Sequence, residues 1–140
     1  MKILVAVDGS PFTKRMLAYL AAHDEWLGPS QQYLVLHSVA PVSSNAAAMI
    51  DKALLQQYYE ESSEKVFKPI RKFFDKQGLK AEFLTKVGHA HEVIAATAEK
   101  GGYDLLVMGS HGHGTLTNLV MGSVATKVIA RCSTPVLLIR

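Results

Sequence analysis

Small and hydrogen-bonding residues crowd one stretch of this chain, Tyr103 to Ser123, which reads YDLLVMGSHGHGTLTNLVMGS. Gly109, Gly112 and Gly114 are interspersed with Ser110, His111 and His113, directly after the aliphatic run Leu105-Leu106-Val107-Met108. Gly122-Ser123 then precedes a helical stripe of Val124, Val128 and Ile129. A short apolar run closed by glycine reads as a strand buried on both faces of a parallel sheet. Strand, glycine loop and helix N-terminus in that order bring backbone N–H groups and a positive dipole end onto an anion. The chemistry on offer is phosphate recognition. Local charge agrees, because beyond Asp104 the only charged residues are Lys127, Arg131 and Arg140.

Three known phosphate or nucleophile motifs fail here. A Walker A loop spanning Gly109 to Gly114 would need lysine where Thr115 stands. A dinucleotide fingerprint starting at Gly112 would need glycine in place of Thr117 and an acid about 20 residues later, where there is none. The nucleophile elbow G-x-S-x-G is absent, since Ser110 directly follows Gly109.

A fourth pattern fits. Gly109, two residues, Gly112, nine residues and then Gly122-Ser123 resemble the nucleotide-binding signature of the universal stress protein family, within flanks MKILVAVDGS and GSVATKVIARCSTPVLLIR that also match. The resemblance covers the whole chain and implies an ATP-binding member. It implies a parallel sheet of five strands in the order 3-2-1-4-5 with helices on both faces, a Rossmann-like fold of the adenine nucleotide alpha hydrolase kind. It also implies the contacts: Asp8 at the ribose and backbone at Val39 reading the adenine edge. Met108, Gly109, His111, Gly112, Gly122, Ser123 and Val124 complete the expected nucleotide-binding set. Backbone amides of 109–112 and 122–124 would hold phosphate oxygens, with Mg²⁺ or Mn²⁺ on the phosphates because no P-loop lysine offsets their charge.

Several of these residues also have purely structural readings. Asp8 can stabilise its own Asp8-Gly9-Ser10 turn. The glycines can be positive-φ loop residues or places where a ligand comes close. Gly122 favours close approach, since Ser123 alone would suffice as a helix cap; Ser123 is expected to cap and to meet phosphate. His111 is placed as a donor to phosphate or ribose. A metal site on His111 and His113, or on His89 and His91, lacks the further ligands zinc needs. His37 reads as a packed core histidine.

The elements that must position these residues follow from hydrophobic periodicity. Ile3 to Val7 is a first strand ended by Asp8, and Ser10-Pro11 starts a helix expected to stop near Gly28-Pro29. Tyr33 to Val39 is a second strand. A helix from about Ala46 to Gln77, kinked at Pro69, carries Ile50, Leu54, Tyr58, Val66, Ile70 and Phe73 as its stripe. Leu79 to Val87 is a third strand. A helix with Val93, Ile94 and Thr97 inward ends at Gly101-Gly102, and Pro135 opens a fifth strand, Val136 to Ile139. Alternating strands and helices give right-handed crossovers and a parallel sheet. In the implied order the ligand crevice opens between strands one and four, where Asp8 and Gly109 converge.

With 140 residues, 49% hydrophobic and 19% charged, the chain reads as a single globular domain, 1–140. A net charge of +3, without a basic stripe interleaved with aromatics, points away from nucleic acid. No apolar run approaches a membrane span and the N-terminus is no signal peptide, so the expected location is cytoplasmic. Cys132 stands alone and reads as a structural thiol. The expected function is stress response through nucleotide-dependent binding, without catalysis, since Asp8 is the only carboxylate placed at the crevice. The rivals are a nucleotide-independent dimeric interaction module and a slow ATPase or nucleotidyl-transferring enzyme. The fifth strand, if it lies at the edge as the resemblance implies, is an aliphatic edge suited to a homodimer.

Overall fold

The structure is a computed structural model and describes residues 1–114, 118 and 120–140. Thr115 and Thr117, which stand in place of the motif lysine and glycine, lie outside the described residues. In chain order the elements are β1 (Lys2–Ala6), α1 (Pro11–Ala22), β2 (Gln32–Val39), α2 (Ser44–Ala48) and α3 (Lys52–Lys76). They continue as β3 (Ala81–Val87), α4 (Ala90–Gly101), β4 (Leu105–Gly109), α5 (Ser123–Arg131) and β5 (Val136–Ile139). Among these residues the strands form one sheet in the order β3-β2-β1-β4-β5, every pairing parallel. The expected order is the observed one.

Period-two alternation divides the core between the two faces. Ile3, Val5 and Val7 meet Met16 and Leu20 of α1 and Phe67, Ile70 and Phe74 of α3. Leu4 and Ala6 point the other way, with Leu36, Leu106 and Met108, onto Ile94 and Ala98 of α4 and Ala125 and Val128 of α5. Thus α1 and α3 cover one face and α4 and α5 the other. The chain changes face in passing from β3 to β4, which makes the β1/β4 boundary the switch point.

Two helices depart from the expectation. The first ends at Ala22, and turns occupy the stretch to Pro29, pinned by fully buried Leu27. The long helix is two, broken at 49–51, with Asp51 in extended conformation at the N-cap of α3. Its buried side is Tyr59, Ser63, Phe67, Ile70 and Phe74. Leu54 and Tyr58, expected inside, are 59% and 53% exposed. The first turns of α3 precede its contact with the sheet, so no core fixes which side is apolar there. α3 continues unbroken through Pro69.

Candidate functional site

A cavity of about 700 Å³ opens beyond the carboxyl ends of β1 and β4. That is ample for a nucleotide-sized ligand. One end is walled by Leu36, His37, Ser38, Ala90 and Ile94, and the other by the segments 108–114 and 121–127. Of the expected site residues, Asp8, Met108, Gly109, His111, Gly112, Gly122, Ser123 and Val124 all line it; Val39 does not.

Asp8 fulfils its turn reading with one oxygen. Its Oδ1 accepts from Ser10 N at 2.9 Å and from Thr13 Oγ1 at 3.0 Å, while Asp8 N donates to Thr13 Oγ1 at 3.2 Å. The carboxylate is thereby held in one orientation. Its Oδ2 faces the loop: a Cβ built on Gly112 would lie 2.6 Å from it. Ser10 occupies the N-cap of α1 as expected, yet its buried hydroxyl makes no capping bond.

The loop glycines have a cause the sequence reading did not anticipate. None of Gly109, Gly112, Gly114 or Gly122 has positive φ. At three of them the close neighbour is the protein itself. A Cβ on Gly109 would come within 2.7 Å of Phe12 Cβ, and one on Gly122 within 3.1 Å of both His111 Cα and Ser110 O. These glycines let the 108–114 segment, α1 and the start of α5 pack closely. At Gly114 the space is open.

The amides expected to hold phosphate are open only in part. Ser110 N donates to Ile139 O at 2.8 Å, and Gly122 N donates to Ser110 O at 2.7 Å, so both are committed. The first bond into α5 is Thr126 N to Gly122 O at 3.1 Å. The amides of Ser123, Val124 and Ala125 therefore precede the intrahelical ladder and stand at its positive end. Gly122 is the N-cap and Ser123 the first helical residue, so the expected Ser123 cap is corrected: at that position its hydroxyl lies past the capping geometry.

Backbone alternation decides what β2 presents. Leu36 O accepts from Val7 N on the β1 side at 2.9 Å, whereas Val39 O accepts from Gly88 N on the β3 side at 2.9 Å. Residues two apart address the same neighbour. Ser38 therefore turns its backbone N–H and C=O to the β1 side, where pairing has just ended, and these groups face the cavity. Val39, expected to read the adenine edge, is buried and turned away. The missed signal was the pairing partner, which side-chain identity does not reveal.

The lining histidines are anchored within the site. His37 Nδ1 lies 2.8 Å from Val7 O, and its ring meets Phe67 edge-on at 6.1 Å. His111 Nδ1 lies 2.8 Å from Ser110 Oγ with its ring 5.0 Å from that of Phe12, and His113 Nε2 lies 2.6 Å from Asp8 O. His89 and His91 stack at 6.4 Å. Among the described residues no group of three or more His, Cys, Asp or Glu side chains is placed to hold a metal. Any cation would rest chiefly on phosphate oxygens, with Asp8 within the same cavity. Cys132 is half-buried and burial pushes its thiol up, which favours an inert thiol. Among the described residues no helix is long and apolar enough to cross a membrane.

An adenine nucleotide fits this donor set. An apolar slot with outward backbone groups at Ser38 suits a base, a fixed carboxylate suits a ribose diol, and open amides suit phosphates. Comparison with known proteins gives the family. The chain is 34% identical over 139 residues to a universal stress protein of Synechocystis sp., covering 99% of this chain but only 42% of that protein. It is 33% identical to one of Thermus aquaticus, covering 99% and 97%. The solved structure of a Methanocaldococcus jannaschii protein superposes with a TM-score of 0.82 at 29% identity, covering 99% of this chain and 94% of that one. More distant structures with the same fold include an Arabidopsis thaliana protein with AMP bound (TM-score 0.68, 19% identity, covering 99% and 90%). Another is an Archaeoglobus fulgidus protein in complex with dAMP (TM-score 0.67, 21% identity, covering 100% and 98%). The profile of the Universal stress protein family matches residues 1–140, and the chain belongs to that family.

Proposed function

We propose that this protein binds ATP, with Mg²⁺ or Mn²⁺ carried on the phosphates, and acts in stress response through nucleotide-dependent binding. The carrying observation is that the open amides of Ser123 to Ala125, the fixed Asp8 carboxylate and the outward backbone of Ser38 line one cavity. The adenine edge meets Ser38 between β2 and Ile94 of α4, Asp8 Oδ2 takes the ribose hydroxyls, and the phosphates lie against the start of α5. The AMP and dAMP complexes of the more distant relatives support the ligand class. Binding without turnover is the second element of the proposal. Asp8 is the one carboxylate among the lining residues, and its Oδ2 is assigned to the ribose. The lining imidazoles of His37 and His113 are held at Val7 O and Asp8 O, which supports binding without turnover.

Calorimetry on nucleotide-free protein tests the reading. ATP with Mg²⁺ binds, and at about 100 times its Kd it adds roughly 2.7 kcal/mol, several degrees in Tm. GTP binds more weakly, since its base edge offers a different donor pattern to Ser38. A flat titration with ATP discards the proposal.

Assembly belongs to the same proposal. β5 is the sheet edge, and Val136, Leu137 and Leu138 are only half-buried there. Antiparallel pairing with a second copy closes both edges in a twofold dimer. Light scattering should give a dimer at micromolar concentration and a monomer for Leu138→Lys; a monomeric wild type removes the assignment.

A further inference from the structure

Lys127 lines the cavity beside Ser123 and Thr126, is exposed, and forms no ion pair among the described residues. The nearby acid, Glu92, is shared by others: its Oε1 lies 3.8 Å from His91 Nε2 and 3.9 Å from Arg131 Nη1. Lys127 follows Ser123 by four residues, so both share one face of α5, and helical side chains lean toward the N-terminus. Helical geometry thus lets the lysine stem reach back over Ser123, toward the open amides. The Lys127 charge is felt at a neighbouring imidazole. The His91 imidazole is held below its ordinary value by partial desolvation, then by Lys127 and Arg131, against Glu92, with His89 adding a small push downward.

The open amides can satisfy one phosphate group. A triphosphate brings further negative oxygens past them, within the cavity that Lys127 also lines. We propose that Lys127 reads phosphate chain length: its ammonium meets the terminal phosphates and makes this cavity prefer nucleoside triphosphates over monophosphates. The proposal rests on the adenine-nucleotide reading above and assigns this chain a specificity residue outside the glycine–serine pattern.

Calorimetric Kd values for ATP and AMP, both with Mg²⁺, on wild type, Lys127→Gln and Lys127→Arg decide it. Lys127→Gln should weaken ATP about five- to tenfold and AMP less than about twofold, the solvent-screened value of one ammonium. Lys127→Arg should stay within about twofold of wild type for ATP. As a second readout, saturating ATP should raise the His91 titration midpoint seen by NMR in wild type, because terminal phosphates offset the Lys127 charge. The shift should shrink in Lys127→Gln. Equal losses for ATP and AMP, or none for either, overturn the chain-length role while leaving nucleotide binding intact. A wild type that binds neither nucleotide overturns the adenine reading itself, and this proposal with it.

Discussion

The two ends of the sheet carry cavities of similar size, about 700 Å³ beyond the carboxyl ends and about 600 Å³ at the amino ends. Their hydrogen-bond accounts differ. At the amino end Lys2 N donates to Asp104 Oδ2 and Asp104 N donates back to Lys2 O, both at 2.8 Å. Gln32 N donates to Met1 O at 2.9 Å and the Tyr33 hydroxyl to Leu27 O at 2.6 Å. The Lys2 ammonium donates to Gly101 O and lies 4.7 Å over the Tyr103 ring. At the carboxyl end the first amides of α5, Asp8 Oδ2 and the Lys127 ammonium enter none of the described bonds. Volume does not separate the two cavities; the kind of open group does. At the amino end Lys80 and Glu82 are exposed side chains of opposite charge, whereas at the carboxyl end main-chain amides stand open at a helix N-terminus. A fold with its strands parallel gathers helix N-termini at one end only, which is why the asymmetry arises.

Paired glycine substitutions give the largest expected effects. Gly122→Val forces a side chain against His111 Cα and Ser110 O, both main-chain atoms that cannot swing aside. Gly101→Ala drives a methyl to 2.1 Å from the Tyr103 ring. Each should cost about 1–3 kcal/mol in urea unfolding. Only Gly122→Val should also abolish measurable ATP binding, because it displaces the 108–114 segment that lines the site. Equal affinity in the two folded variants would erase the distinction between the ends.

Next comes the amino end alone. Burial pushes the Tyr33 phenol up to about 12, above its unfolded value near 10. The raised value means the folded state holds its proton longer. The associated stability is complete below pH 10 and is lost as pH rises from 10 toward 12, by about 2 kcal/mol. Urea midpoints of wild type and Tyr33→Phe, compared at pH 9 and pH 11.5, should converge as pH rises. A constant gap between them would count against it.

How much of this was legible in the sequence depends on what sets each feature. The strands follow from aliphatic runs and punctuation, which are local; their order, and with it the meeting of Asp8 with Gly109, came from the family resemblance, because pairing is long-range. The stripe of α3 was misplaced at Leu54 and Tyr58 because those turns precede the sheet, and periodicity without a partner has no phase. The glycines at 109, 112 and 122 were legible as close approaches, but the approaching atoms belong to Phe12, Asp8, His111 and Ser110, long-range or loop contacts that no spacing states. Val39 and Ser38 differ only in which neighbouring strand their backbone addresses. Lys127 was read only as one of the few charges beyond Asp104, because a lone lysine on a helix is ordinary until its surroundings are known.

A pair of aspartates separates the ends at smaller scale. Asp8→Asn keeps a side-chain oxygen for Ser10 N and Thr13 but replaces the charged Oδ2, and should weaken ATP about tenfold with stability nearly unchanged. Asp104→Asn weakens a bond to Lys2 N at the amino end, and should cost up to about 1 kcal/mol of stability while leaving Kd alone. Chemical denaturation and calorimetry on both variants give four numbers. A crossed pattern supports the division, and a parallel one breaks it.

The smallest effect is the most discriminating, and it falls on Ser123. Since Gly122 holds the cap position, Ser123→Ala removes no capping bond and should change stability by less than about 0.5 kcal/mol. Its exposed hydroxyl still lines the cavity beside the open amides. Losing one hydrogen bond to a charged phosphate oxygen should weaken ATP by up to about tenfold. Adenosine, with no phosphate, should bind wild type and variant alike. If both ligands lose equally, Ser123 acts through the start of α5 and not on phosphate. A stability loss above about 1 kcal/mol would instead return the hydroxyl to a capping role and move the helix start by one residue. The two measurements together locate the anion relative to the helix end, which neither the cavity volume nor the glycine spacing can do.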